Sequence, residues 1–240
     1  MGVHRSVDVS GVRLAYQVCG PRDAPPLVLL HAMGETSGDW DEVAPALAAD
    51  HRIHALDLRG HGRSDWPGVY SLTLMRDDVL GFLDALGLDR VHLVGHSMGG
   101  AVAYLVAQAD DRRVGRLVLE DVPAPRPRKP SAAVRPDGEL PFDWDLVPAV
   151  RRQIDTPEPE WLELLAAITA PTLALAGGGS SHIPQAGIAE LVRRVPRGRM
   201  VTIETGHLIH RTQPERFVAE VREFLDEPAH LPAGTKGERP

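Results

Sequence analysis

No stretch of this chain constrains its fold as tightly as Val91 to Gly100, which reads Val-His-Leu-Val-Gly-His-Ser-Met-Gly-Gly. An apolar run ends in Gly95-His96-Ser97-Met98-Gly99, and a segment of small residues, Ala101 to Ala109, follows. The order is strand, sharp turn, helix, which is the context in which Gly-x-Ser-x-Gly forms a nucleophile elbow. A serine on such a turn lifts its hydroxyl clear of the sheet edge. Glycines flank it because a Cβ would collide where strand and helix approach closely. The amide of Met98 then lies at a helix N-terminus, where N–H groups and the helix dipole favour a developing oxyanion.

The rest of the chain alternates strand and helix patterns. Ser6 to Val9 and Val12 to Val18 read as a hairpin about Ser10-Gly11. Leu27 to Leu30 is a short continuous apolar run, the mark of a strand covered on both faces. Trp40 to Ala49 is expected to form a short helix with Pro45 in its first turn. His51 to Leu58 alternates into a strand. Ser71 is placed to cap a helix ending at Gly87, whose Leu72, Met75, Val79, Phe82, Leu83 and Leu86 share a face. That helix feeds the Val91 strand in a βαβ unit. Strands are expected at Arg116–Leu119, Pro171–Ala176 and Met200–Ile203, and helices at Ala186–Val195 and from Pro214 onward. Between them, 122–168 is rich in proline and breaks the pattern.

From Val7 to Leu225 the chain resembles the α/β-hydrolases. The resemblance implies an α/β fold: a mostly parallel sheet of the eight-stranded type, helices on both faces, and a small cap. The domain expectation is a core in two parts, 1–121 and 169–225, a cap at 122–168, and a flexible tail at 226–240. Ser97 matches the family's nucleophile. His207, in Gly206-His207-Leu-Ile-His210, matches its histidine loop and is assigned general base, with His210 as rival. Met33, after His31-Ala32, matches the second oxyanion donor beside Met98, although Ala32 stands where the family carries glycine. Trp40 and His31 near that loop, and Phe142, Trp144 and Trp161 in the cap, are candidate pocket residues.

A serine hydroxyl is too weak an acid to attack a carbonyl unaided, and its base needs an orienting acid. The family usually carries an aspartate past the strand Pro171–Ala176, but here that stretch is Gly177-Gly-Gly-Ser180-Ser-His-Ile-Pro184. Some branches place the acid one strand earlier, where this chain has Glu120-Asp121. Ligands of open α/β sheets bind beyond that edge. Alternation along a strand would send one carboxylate toward the histidine and the other away. Asp121 is the better match by offset from Ser97, and Asp121→Asn should cripple turnover while Ser180→Ala should do little.

A serine nucleophile makes an acyl-enzyme, which points to a carboxylic ester or lactone substrate. Haloalkane dehalogenases and epoxide hydrolases of this fold use an aspartate there. Carbon–carbon bond hydrolysis, haloperoxidase-like perhydrolysis and ligand binding on a decayed scaffold remain open. No cofactor is expected: the sequence shows no phosphate loop, and His54, His61 and His92 match no common metal-ligand spacing. The 33 acidic against 26 basic residues, a net charge of −7, argue against a nucleic-acid partner. The Arg126, Arg128, Lys129 patch is expected to be a solvated face. Cys19 is the only cysteine, and no stretch reaches the ~20 apolar residues of a membrane span, so the expectation is a cytoplasmic protein without membrane contact.

Overall fold

The computed structural model describes residues 2–130 and 132–227. Strands β1 (Val3–Val9) and β2 (Val12–Cys19) form the hairpin, turning through Ser10 and Gly11, both at positive φ. β3 (Pro26–Leu30), a short helix α1 (Ala44–Leu47) and β4 (Arg52–Leu56) follow. Then come α2 (Leu72–Ala85), β5 (Val91–His96), α3 (Met98–Ala109) and β6 (Val114–Glu120). The proline-rich stretch contains α4 (Leu146–Asp155) and α5 (Pro159–Glu163). β7 (Thr172–Ala176), α6 (Gln185–Arg194), β8 (Gly198–Thr202), α7 (Ile209–Thr212) and α8 (Pro214–Asp226) complete the chain.

The eight strands make one sheet in the order β1-β2-β4-β3-β5-β6-β7-β8. β2 pairs antiparallel with β1 and β4, and every later pairing is parallel. The continuous apolar runs are explained by the two cores they serve. Val28, Leu30, Leu93, Leu117 and Leu119 face one core with α2, α3, α4 and α5. Leu27, Leu29, Val94 and Val118 face the other, with α1 and α8. Side chains alternate along a strand, so a strand covered on both faces must be apolar at every position.

Two local readings change. Trp40 to Ala49 is not one helix: Ser37–Trp40 is a 3₁₀ turn capped by the Thr36 hydroxyl, and α1 starts afresh at Ala44 with Pro45 in its first turn. Pro45 lacks an N–H and its ring crowds the preceding turn, so a helix can begin there but not run through it. The other concerns Asp57 and Arg59, which are expected to form local hydrogen bonds: Asp57 does so with Arg63, but both also reach beyond the loop. Asp57 accepts from the amides of Ser37 and Arg63 at 2.6 and 2.9 Å, and Arg59 forms a buried ion pair with Asp78 on α2. Ser71 caps α2 as expected, its Oγ accepting from Leu74 N at 2.9 Å. No helix among the described residues is long and apolar enough to cross a membrane. The tail expected at 226–240 falls outside the described residues from position 228 onward.

Candidate active site

The turn after β5 is as tight as the glycine spacing demands. Ser97 takes φ 51°, ψ −114°, outside the regions open to most L-residues. A Cβ on Gly99 would lie 2.2 Å from the Leu30 carbonyl oxygen, and one on Gly95 would lie 2.5 Å from that of Gly99. Neither position tolerates a side chain. Ser97 N donates to Glu120 O at 3.1 Å, which fixes the turn to the end of β6.

Asp121 leaves β6 at φ 52°, held by its N–H on the Leu175 carbonyl at 2.8 Å. Its fully buried carboxylate meets His207 Nδ1 at 2.7 Å. It also accepts from Gly177 N at 2.9 Å and from the Ser181 hydroxyl at 2.5 Å. Burial alone would raise its pKa, but the bonds from His207, Ser181 and Gly177 hold it below the usual carboxylate value. An ionised Asp121 makes Nδ1 the donor and leaves the lone pair on Nε2. His207 is positioned by Gly206, at φ 87°, whose N–H reaches Gly177 O at 2.8 Å. His96 Nε2 donates to the His207 carbonyl at 2.9 Å.

Glu120 faces the other way. It receives His210 N at 2.9 Å and His210 Nδ1 at 2.8 Å, with both side chains fully buried. His210 Nε2 reaches Asp39 Oδ1 at 3.0 Å, and Arg211 also pairs with Asp39. Burial would push the His210 imidazole down, but the charges and hydrogen bonds of Glu120 and Asp39 raise it to about 9. It is therefore a cation at neutral pH, and the buried carboxylates are balanced by it and by Arg211. Asp39 Oδ2 and His96 Nδ1 face each other at 3.8 Å, neither with a hydrogen bond among the described residues. Asp39, His96 and His210 lie close enough to share a metal ion. Both His210 nitrogens are already taken by carboxylates, so that set offers only two unspent atoms.

A cavity of about 300 Å³ opens over the elbow, lined among others by Met33, Ser97, Met98, Asp121, Trp161 and His182. Met33, Met98 and Trp161 thus line this cavity, and four pocket expectations are corrected. Trp40 is fully buried against His210 and Phe217. His31 is fully buried too, its ring bonded to Ala32 O at 2.8 Å and Leu58 N at 3.0 Å, and burial lowers it to about 4. Phe142 packs on His61 and Gly34. Trp144 lines a separate cleft with Pro130 and Pro148. Their apolar bulk was spent on core packing, which a one-dimensional pattern does not distinguish from a pocket wall. His54 stacks on Tyr16, while His61 meets His31 and His92 meets His51 edge to face, in three separate places.

Some site residues had no sequence reading. Ser181, next to Ser180, donates to Asp121. His182 sets its ring against His207 at 4.3 Å while lining the cavity. Asp39 and His96 join the buried cluster. Only the proximity of His96 to Ser97 and of Asp39 to the oxyanion loop hinted at them.

Comparison with known proteins agrees with this architecture. Residues 25–153, just over half the chain, match the family model described as "alpha/beta hydrolase fold". Mouse "Epoxide hydrolase 4" is 34% identical over 130 residues, 52% of this chain but only 36% of that protein, so the chain spans about a third of the relative's length. The crystal structure of a hydrolase from Pseudomonas aeruginosa PA01 is 27% identical, with TM-score 0.74 over 94% of this chain and 99% of that one. A thermophilic esterase from Thermogutta terrifontis is 25% identical, with TM-score 0.73 over 93% and 98%. The chain is a member of the α/β-hydrolase fold family.

Proposed function

We propose that this protein is a serine hydrolase that cleaves a carboxylic ester or lactone through an acyl-enzyme. The observation that carries the reading is the 2.7 Å contact between His207 Nδ1 and a fully buried Asp121, beside a serine at φ 51°. In this reading Ser97 Oγ attacks the carbonyl carbon and its proton passes to His207 Nε2. The Met33 and Met98 amides receive the oxyanion. The imidazolium, stabilised by Asp121, then protonates the leaving oxygen, and water repeats the cycle on the acyl-enzyme. No cofactor takes part.

Serine at the nucleophile position favours this chemistry over that named for the mouse epoxide hydrolase, since a serine ether left by epoxide opening has no carbonyl for water to attack. The carboxylate on His207 also speaks against a decayed, non-catalytic scaffold, whose one ground is the serine at position 180. The remaining domain reading is that 122–168, with α4 and α5, acts as a cap. Gln153 on α4 accepts from Leu72 N at 2.6 Å, tying that segment to the start of α2. The test is a stopped-flow assay with a short-chain p-nitrophenyl ester. A burst of p-nitrophenol stoichiometric with enzyme, absent from Ser97→Ala, is expected. Steady release that Ser97→Ala does not change would overturn the reading.

A further inference from the structure

The cavity over Ser97 is charged in a way the rest of the chain is not. The protein carries a net charge of −7, yet this cavity is lined by Arg126, Arg128 and Arg151, and the only carboxylate that lines it among the described residues is Asp121, which His207 already engages. The sequence reading treated Arg126, Arg128 and Lys129 as a solvated face. All three are exposed, as that reading expects, and two of them, Arg126 and Arg128, also form part of the cavity wall.

The arginines are also held in place. Arg126 is gripped by Glu190 through Nε and Nη2, at 3.2 and 2.6 Å. Arg128 is gripped by Asp155, itself buried, through Nε alone at 2.6 Å. Neither Glu190 nor Asp155 lines the cavity. The acids therefore orient the two forks from behind, and the Nη groups of Arg128 carry no hydrogen bond to the described residues. A guanidinium fixed on one edge loses less conformational freedom when its other edge binds an anion. Charge already partly balanced suits a monoanion better than a dianion. Much of the remaining wall is apolar, including Leu72, Val122, Ile154 and Trp161.

Resting on the hydrolase reading above, we propose that this cavity selects substrates bearing a second, ionised carboxylate, separated from the scissile carbonyl by an apolar chain and received by Arg128 and its neighbours. Mono-p-nitrophenyl adipate against p-nitrophenyl hexanoate tests the acyl side, since the chains differ only in a terminal carboxylate for a methyl. ω-Acetoxyhexanoate against hexyl acetate tests the leaving-group side. In at least one pair kcat/KM should favour the carboxylate about five- to tenfold at low salt, the size of one charge-assisted contact at a half-exposed site. Raising salt from about 20 mM to about 0.5 M should shrink that preference. Arg128→Gln should bring the ratio toward unity, and Arg128→Lys should keep part of it. Because Arg128→Gln strands the buried Asp155, Arg126→Gln, which breaks an exposed pair, and the salt titration on the unaltered protein keep the test decisive if it misfolds.

Equal rates within both pairs, or a ratio that neither salt nor any arginine variant moves, would overturn the proposal. Should the protein cleave none of these esters, the hydrolase reading fails separately. Calorimetric binding of the same pairs to Ser97→Ala then decides the present proposal by the affinity ratio alone.

Discussion

Two histidine–carboxylate pairs stand back to back in this protein, made from neighbouring residues of the same two segments. Asp121 holds His207 on the cavity side of the sheet edge, while Glu120 holds His210 on the α8 side. Their chemistry is nearly identical and their surroundings are not. His207 retains some exposure, whereas both partners of the inner pair are wholly buried. The outer imidazole meets one carboxylate and keeps a nitrogen unspent. The inner one lies between Glu120 and Asp39, gives up both nitrogens, and is raised to about 9. A base must exchange its proton near neutral pH, and a group locked as a cation cannot. On the function proposed above, the outer pair is the reactive one and the inner pair its brace. His96, Glu120, Asp39 and His210 each sit beside a segment that carries Ser97, Asp121, the Met33 loop or His207.

The comparison can be broken most severely from the outer side. Asp121→Asn should lower kcat by about 10⁴-fold, because an amide can neither stabilise the imidazolium nor enforce its tautomer. The melting temperature should move far less, and a wild-type rate in that variant would end the assignment. The inner pair should behave in reverse. Glu120→Gln leaves the buried His210 with Asp39 as its remaining anion and should cost up to about 3 kcal/mol of stability, read by urea unfolding. Its kcat should fall by much less than that of Asp121→Asn, and a loss of rate as large as that variant's would erase the distinction between the pairs.

A pH dependence sharpens the same contrast. The His210 pKa is raised from 6.5 to about 9 on folding, so its stabilising contribution is full below pH 6.5 and is lost as pH rises through 9. The loss should be on the order of 3 kcal/mol between those limits. In His210→Gln the decline of the urea midpoint across that window should flatten; an unchanged slope would assign the decline to another group. A smaller effect is expected at Ser181. Ser181→Ala removes one donor to Asp121 and should raise that acid's pKa, moving the acid limb of kcat/KM upward and lowering the plateau a few-fold. Ser180→Ala, at an exposed position without a bond to Asp121, should leave both in place.

The parallel-sheet architecture was legible because its signals are local. Continuous apolar runs mark strands covered on both faces, Ser71 caps a helix, and Gly95 and Gly99 permit only one kind of turn about Ser97. The pocket was legible only in part. Trp40, His31, Phe142 and Trp144 have the bulk of pocket walls, and which face of a loop turns inward depends on packing that no spacing reveals. The basic patch likewise resolved into cavity arginines only once Glu190 and Asp155, far along the chain, were seen behind Arg126 and Arg128.

The sequence by itself determined that a serine would stand on a strained turn between strand and helix, and that a histidine and two adjacent carboxylates were the groups available to serve it. Only the tertiary structure decided which carboxylate meets which histidine. Successive residues of a strand project to opposite faces, and Asp121 lies where the strand breaks into a positive φ. Its direction was therefore set by Leu175, Gly177 and Ser181, contacts more than fifty residues away that a local pattern cannot encode.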